Sequence, residues 1–270
     1  MDMPVMAVEP VTLTGKLIRL EPLAESHVPD LDYACKDPPD GRRTIWRYLL
    51  DSRTYREAGM RGVVRELLER RADGTDMPFA IVDLKSGHAC GTTRFMEIQP
   101  ENRVVEIGTW IGLDFQREGI NLESKYLMLK HAFGPLNAMR VQFKVDHRNY
   151  ASLDAMERIR ATREGIARNH IILHDGTPRS SVIYSILDSE WPAVEVHLEG
   201  LMARAASRGT RARAPTRCRP RPSAMPSASP SGTPSCATAW MRSTRRARSS
   251  CATSRSTGWR WRSAARSRSS

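Results

Sequence analysis

Residues 106–133 read EIGTWIGLDFQREGINLESKYLMLKHAF, and the fold of this chain turns on how that stretch is parsed. Glu106-Ile107-Gly108-Thr109-Trp110-Ile111 belongs to a predicted strand over 103–113, rich in β-branched and aromatic residues. From 121 to 133 the apolar residues Leu122, Tyr126, Leu129 and Phe133 recur at helical spacing, with Asn121 as the expected N-cap and Gly134-Pro135 as the stop. Between them lies the loop Gln116-Arg117-Glu118-Gly119-Ile120-Asn121, and the helix carries Glu123 and Lys125 in its first turns. A strand that runs through a glycine-containing loop into a helix aims several unpaired N–H groups at one point, where the helix dipole also favours negative charge. The natural guest is a phosphate or pyrophosphate, although one glycine before a helix also serves simply as a turn.

Outward from this unit the periodicity alternates between strand and helix. Residues 11–23 (VTLTGKLIRLEPL) read as a first strand, and 25–36 place Val28, Leu31, Ala34 and Cys35 on one helical stripe. Residues 54–71 repeat the helical period through Met60, Val63, Val64, Leu67 and Leu68 and end at Asp73-Gly74. The run 78–84, the turn Lys85-Ser86-Gly87 and the segments 88–98 and 103–113 make an antiparallel meander. Beyond the central helix come a strand over 139–145, a short helix over 150–159, and a closing hairpin of 166–173 and 181–187 about His174-Asp175-Gly176-Thr177. The pattern predicts an α/β (α+β) domain over 1–205, a mixed, mostly antiparallel sheet covered by helices.

Charge divides the chain at the same place. The whole carries 42 Lys+Arg against 30 Asp+Glu, a net +12, which taken alone suggests a nucleic-acid partner. Fifteen of those bases, all arginine, lie in 206–270 with no acid among them, so 1–205 hold 27 bases against 30 acids. The tail also lacks Ile, Leu, Val, Phe and Tyr, and such a composition buries too little apolar surface to offset its ordering entropy, so disorder is expected there. Two readings of the tail stand: an Arg/Ser-rich arm that grips RNA or DNA phosphates, or the out-of-frame translation of a G+C-rich gene. The opening MDMPVMAVEP does not read as a secretory signal, and no apolar run approaches the ~20 residues that span a bilayer, so a soluble cytoplasmic protein without membrane contact is expected. Cys35 and Cys90 lie far apart and read as core thiols, and His131, His147, His170 and His174 match no metal-ligand spacing.

The ordered run of short motifs, QREGIN then ESKYLMLKHAF, RVQFKVDHRNYASLDAMERI, REGIARNH, HDGTPRSSVIYSIL and EWP, resembles the GNAT N-acetyltransferase superfamily in its RimJ/RimL-like branch, over roughly residues 13–201. The resemblance implies the GNAT fold, acetyl-CoA as co-substrate, no metal, and transfer of the acetyl group to a primary amine of a protein N-terminus or small molecule. It implies that Gln116, Arg117, Glu118, Gly119, Ile120 and Asn121 hold the CoA pyrophosphate through main-chain amides. It further implies that the strand through Trp110, Ile111 and Leu113 pairs with the pantetheine arm, and that Asn149 and Ser152 match an N-x-x-S facing the cofactor thiol.

Direct attack of an amine on a thioester needs a proton acceptor, an oxyanion donor and help for the departing thiolate. Glu106 is the candidate proton acceptor, a strand N–H near Trp110 or Ile111 the oxyanion donor, and Ser152 the candidate to protonate the thiolate; the plain alternatives are an exposed strand carboxylate and a capping serine. Trp46, Trp110 and Trp191 suit an acceptor pocket or core packing, and Arg168 and Arg179 suit CoA phosphates or water. Two other functional readings remain: a basic-tailed RNA- or ribosome-associating protein, and a CoA-binding pseudo-enzyme. The oligomeric expectation is a monomer or homodimer.

Three departures from the family pattern stand out. One residue is missing between Gly108 and Thr109-Trp110, which flips side-chain facing unless a bulge is lost with it. Arg160 stands where the family tends to have Gly, and Arg163 where it tends to have an aromatic, so backbone strain at the first and a buried charge at the second are expected. Together they suggest a copy that folds less well or is catalytically weakened.

Overall fold

The computed structural model describes residues 6–37, 44–116 and 119–212, all within one unit, Met1–Thr216. In chain order the elements are β1 (Leu13–Thr14), β2 (Ile18–Pro22), α1 (Val28–Ala34), α2 (Ser52–Ala72), β3 (Met77–Asp83), β4 (Ala89–Gln99) and β5 (Val104–Ile111). Then follow α3 (Ile120–Phe133), β6 (Arg140–Asp146), α4 (Tyr150–Arg158), β7 (Thr162–Ile172), β8 (Pro178–Leu187) and α5 (Trp191–Ala212). The strands form one sheet in the order β1-β2-β3-β4-β5-β6-β8-β7, in which only β5 and β6 run parallel. Helix α3 makes the crossover between those two, as a parallel connection requires.

The sheet separates two apolar cores. Along β3 the side chains alternate, Phe79 and Ile81 entering one core and Ala80 and Val82 the other. The first core takes Met128 and Leu129 of α3, Met156 of α4 and Val194 and Leu198 of α5. The second takes Leu31 of α1 with Met60, Val63, Val64 and Leu67 of α2, the stripes expected from the helical period. Each fully buried aliphatic side chain contributes about 1.5–3 kcal/mol, so these stripes rather than helix propensity hold the helices to the sheet. Cys35 and Cys90 are both buried in these cores. No helix among the described residues is long and apolar enough to cross a membrane.

The expected first strand over 11–23 is instead the hairpin β1–β2. The Glu123 carboxylate of α3 accepts N–H bonds from Lys16, Leu17 and Ile18 at 2.7, 2.7 and 3.0 Å, which holds the chain in a turn. A Cβ on Gly15 would lie 2.6 Å from Glu123 Cδ, so only glycine fits there. Helix α2 kinks at Gly59, where φ is +64°. Helix α5, absent from the sequence expectations although Trp191, Val194, Leu198 and Leu201 recur at helical spacing, continues through the composition break to Ala212; the expectation of disorder after that residue lies outside the described residues.

Helix α4 ends in a closed turn. Arg160 donates its N–H to Glu157 O at 2.9 Å and Ala161 to Met156 O at 3.1 Å, with Arg160 at φ +62°, the strained position expected of it. The expectation for Arg163 is corrected: β7 is the edge strand, and Arg163 is exposed on it with no charge buried.

Candidate functional site

The parallel pair β5–β6 is short. Its register runs Val104↔Arg140, Val105↔Val141 and Glu106↔Gln142 and then stops, although both strands continue. Beyond Glu106 the two strands diverge, and toward each other their backbones have no strand partner. On its other side β5 stays paired with β4 from Met96↔Glu106 to Gly91↔Ile111 without interruption. The register is therefore regular across Gly108, Thr109 and Trp110, so the missing residue leaves the alternation intact: Val105, Ile107 and Ile111 enter the first core, and Glu106 and Trp110 face α1 and α2.

The divergence opens a cleft of about 140 Å³ that passes from one face of the sheet to the other. Glu106, Trp110, Asn149 and Ser152 all line it, so four of the sequence candidates meet at one place. Ile111, Leu113, Gln116 and the segment from Gly119 to Asn121 lie beyond its end, along the path from β5 to α3. Strand β5 stops at Ile111 rather than at the expected Leu113: Gly112 still donates its N–H to Cys90 O of β4 at 2.9 Å, and Leu113–Phe115 then make a single 3-10 turn. Gln116 Nε2 then donates to Ile111 O at 3.1 Å, while Arg117 and Glu118 lie outside the described residues.

The N-cap of α3 is Gly119, not the expected Asn121, which is the second residue of the helix and exposed. Gly119 takes φ +85°, which a side chain would strain, and it has no side chain to cap the first turn. The N-cap residue thus supplies no side chain to the leading N–H groups of α3 at the end of the path that leaves β5.

On the face toward α2 the cleft is a network of paired charges. Glu106 is buried, contrary to its reading as an exposed strand carboxylate, and its Oε2 lies 2.7 Å from Lys144 Nζ and accepts from Gln142 Nε2 at 3.3 Å. Arg94 bridges Asp51 at 3.2 Å and Asp76 at 3.3 Å. Burial pushes the Asp76 carboxyl above the usual carboxylate range against the pull of Arg94. At Asp146 burial pulls upward too, yet Arg148 at 2.8 Å wins and holds the carboxyl below that range. Arg179 is buried in the cleft wall, not in water. It donates to Lys144 O at 2.9 Å, its Nε has no hydrogen-bond partner among the described residues, and burial lowers its affinity for a proton. Apart from Asp146 with Arg148, two residues apart, these pairings have no local sequence signal, since each joins residues on different elements.

On the other face the cap of α4 separates the roles of Asn149 and Ser152. Asn149 is the N-cap, its Oδ1 accepting the Ser152 N–H at 3.3 Å, so the capping role considered for Ser152 belongs to Asn149. The Ser152 hydroxyl makes no hydrogen bond with a described residue and lies on the cleft wall. Lys125 reaches the same wall from α3, buried, with its Nζ 5.7 Å from the centre of the Phe143 ring. Its signal in the sequence is a lysine in the apolar phase of the helix, three residues after Leu122 and four before Leu129. Trp46 and Trp110 are 6.1 Å apart in the second core, each with a buried Nε1 that lacks a partner among the described residues, and Trp191 packs on Phe133 at 5.3 Å. Of the three, only Trp110 reaches the cleft. Among the described residues no group of three His, Cys, Asp or Glu is placed to hold a metal ion.

Residues 18–162 match the family described as the acetyltransferase (GNAT) domain. Over 108 residues the chain is 32% identical to YdaF of Bacillus subtilis (strain 168), which is named provisionally as a ribosomal N-acetyltransferase; the match takes in 40% of this chain and 58% of YdaF, under two thirds of its length. A crystal structure of an acetyltransferase from T. thermophilus, also provisionally named, is 36% identical and superposes with a TM-score of 0.64, covering 72% of this chain and 98% of that one. RimL, a ribosomal L7/L12 alpha-N-protein acetyltransferase solved with coenzyme A, is similar in fold, with a TM-score of 0.55 and 22% identity over 66% of this chain and 98% of that one.

Proposed function

Because this chain belongs to the GNAT acetyltransferase family, we propose that it transfers the acetyl group of acetyl-CoA to a primary amine, by direct attack on the thioester. The observation that carries this reading is the divergence of β5 from β6 just beyond Glu106, which leaves one cleft lined by a carboxylate, a serine hydroxyl and unpaired strand edges. The residues fit the donor. The first turn of α3, opened by Gly119 without a capping side chain of its own, offers N–H groups to a pyrophosphate, and the edge of β5 beyond Glu106 offers N–H and C=O groups to an amide-bearing arm. Acetyl-CoA supplies an activated acetyl thioester.

The chain's own groups divide the remaining work by face. Glu106, on the face toward α2, takes the proton of the incoming amine directly or through one water. A β5 N–H near Trp110 or Ile111 donates toward the carbonyl oxygen as it gains charge. Asn149 fixes the first turn of α4, and Ser152 turns its hydroxyl toward the departing sulfur. The names of YdaF and RimL put protein amino termini first among the acceptors to try.

The test is thermal melting with and without acetyl-CoA, followed by thiol release across peptides with free amino termini, aminoglycosides and polyamines. Saturating acetyl-CoA is expected to raise the melting temperature by several degrees. Ser152→Ala is expected to lower kcat by ~10²-fold with that shift kept. No shift at millimolar acetyl-CoA would refute the donor assignment. A shift with background thiol release across the panel would refute the transferase step in favour of a CoA-binding pseudo-enzyme.

A further inference from the structure

Lys125 is unlike the other charged groups of the cleft. Asp51, Arg94, Glu106, Lys144, Asp146 and Arg179 line the face toward α2, where carboxylates and cations lie side by side. Lys125 comes from the opposite face, on α3, among Phe143 of β6 and Ser152 and Met156 of α4. It has no ion pair or hydrogen bond with any described residue, and its contact is the face of the Phe143 ring. The one acid near it on its own helix, Glu123, is taken up by the three N–H groups of the 16–18 turn. Burying an ammonium without a counter-charge is costly, and here burial pulls its titration down from 10.5 to about 8. A cost of that kind, at the wall of a cleft, points to an anion that arrives with the substrate.

The topology says which anion. Because β5 and β6 are parallel, α3 runs back along β5, from its Ile111 end toward Glu106. At ~1.5 Å per residue, Lys125 lies about 7 Å along that path from Ile120, past the point where the helix start would hold phosphates. Beyond the phosphates, the group that becomes anionic on the way to Glu106 is the sulfur that leaves the acetyl carbon. We propose that Lys125 is the acid of the leaving group: its ammonium faces the thioester sulfur, stabilises the thiolate as the bond to carbon breaks, and gives it a proton. This rests on the acetyl-CoA reading and completes it, since a serine hydroxyl can donate a hydrogen bond to sulfur but is too weak an acid to supply the proton.

The step balances. The amine nitrogen forms a bond to the acetyl carbon, the carbon–sulfur bond breaks with its electron pair left on sulfur, and the amine's surplus proton leaves by way of Glu106. Lys125 loses one proton to the thiolate and regains one from solvent, so the products are an amide and free thiol.

The first experiment uses coenzyme A itself and needs no acceptor; the kcat profile that backs it up uses an amine from the thiol-release panel. The thiol of CoA bound to the native protein is titrated by the ultraviolet absorbance of its thiolate and compared with bound CoA in Lys125→Met and Lys125→Arg. The native protein is expected to lower that titration by about one pH unit from its value in free CoA, Lys125→Met to abolish the shift, and Lys125→Arg, which keeps the cation, to retain it. An equal titration in the native protein and Lys125→Met would overturn the proposal. If Lys125→Met does not fold, the pH profile of kcat in Lys125→Arg decides. Loss of the native fall in kcat above about pH 8 supports the proton donor, and an unchanged profile overturns it. Failure of the native protein to bind CoA, seen as no thermal shift, strikes the acetyltransferase reading instead and is read before any variant is made.

Discussion

Replacing Arg160 by glycine should make this protein more stable. Arg160 sits one residue past the cap of α4 at φ +62°, held there by the bonds from its own N–H to Glu157 O at 2.9 Å and from Ala161 N–H to Met156 O at 3.1 Å. Those bonds satisfy two of the last carbonyls of the helix, so the turn cannot relax without losing them. The left-handed conformation costs a residue with a Cβ roughly 1–2 kcal/mol, and glycine escapes that cost but gives back ~0.5–1 kcal/mol through its freer unfolded chain. The Arg160 side chain is exposed and makes no contact that the change would lose, so the net gain for Arg160→Gly is about 0.5–1 kcal/mol. For a folded body of this size that corresponds to roughly 1–4 °C in Tm. The assay is calorimetric melting of the native chain, Arg160→Gly and Arg160→Ala side by side. Alanine shares the left-handed strain, so its Tm should stay near the native value. An equal rise in both variants, or a fall in Arg160→Gly, would refute the reasoning, because the gain would then not come from φ.

Two further outcomes follow from the buried charges. Glu123→Ala should lower stability by about 2–4 kcal/mol, because the N–H groups of Lys16, Leu17 and Ile18 lose their acceptor at once, and Gly15→Ala should act in the same direction by pushing on the same carboxylate; chemical denaturation measures both. Lys125→Met should stabilise the unliganded protein at neutral pH. The native lysine titrates at about 8 when folded against 10.5 otherwise, so the unfolded chain binds more protons between those values and native stability rises with pH across that window. The advantage of the methionine variant, at most ~3 kcal/mol, should therefore be full below pH 8 and fade toward pH 10.5, and an advantage that does not change with pH would refute the account.

Most of the fold was legible because its signals are local. The stripes of α1 and α2, the β3–β4–β5 meander, the strand–loop–helix unit and the β7–β8 hairpin each follow from spacing or turn residues within a few positions. The misreadings share another cause. Residues 11–23 alternate like one strand, yet the chain turns at Gly15 because a carboxylate more than a hundred residues away accepts the N–H groups that follow it. Asn121 looks like an N-cap by residue type, but Gly119 two residues earlier adopts the left-handed entry that starts the helix. Arg163 was expected to bury a charge because the family tends to have an aromatic there, and β7 is an edge strand on which it stays exposed. Of the site, Trp110, Asn149 and Ser152 were found from motif resemblance and Glu106 from the need for a proton acceptor, whereas the partners Lys144, Arg94 and Asp51 were not found, and Arg179 was named without its burial in the cleft wall.

By itself the sequence determined which residues face a core and where the chain can turn, since period-2 and period-3.6 patterning and glycine placement are written within a few residues of each other. It also determined that the charge of the whole chain says nothing about this site, because the arginine excess belongs to 206–270. Only the tertiary structure decided which charges meet. The parallel pairing of β5 with β6 ends at Glu106↔Gln142, and that one register sets Glu106 beside Lys144 and leaves Lys125 on the opposite face without a counter-charge among the described residues. Periodicity assigns a side chain to a face but not to a neighbour. Neighbours across a sheet are fixed by strand order and register, which depend on contacts between residues far apart in the chain.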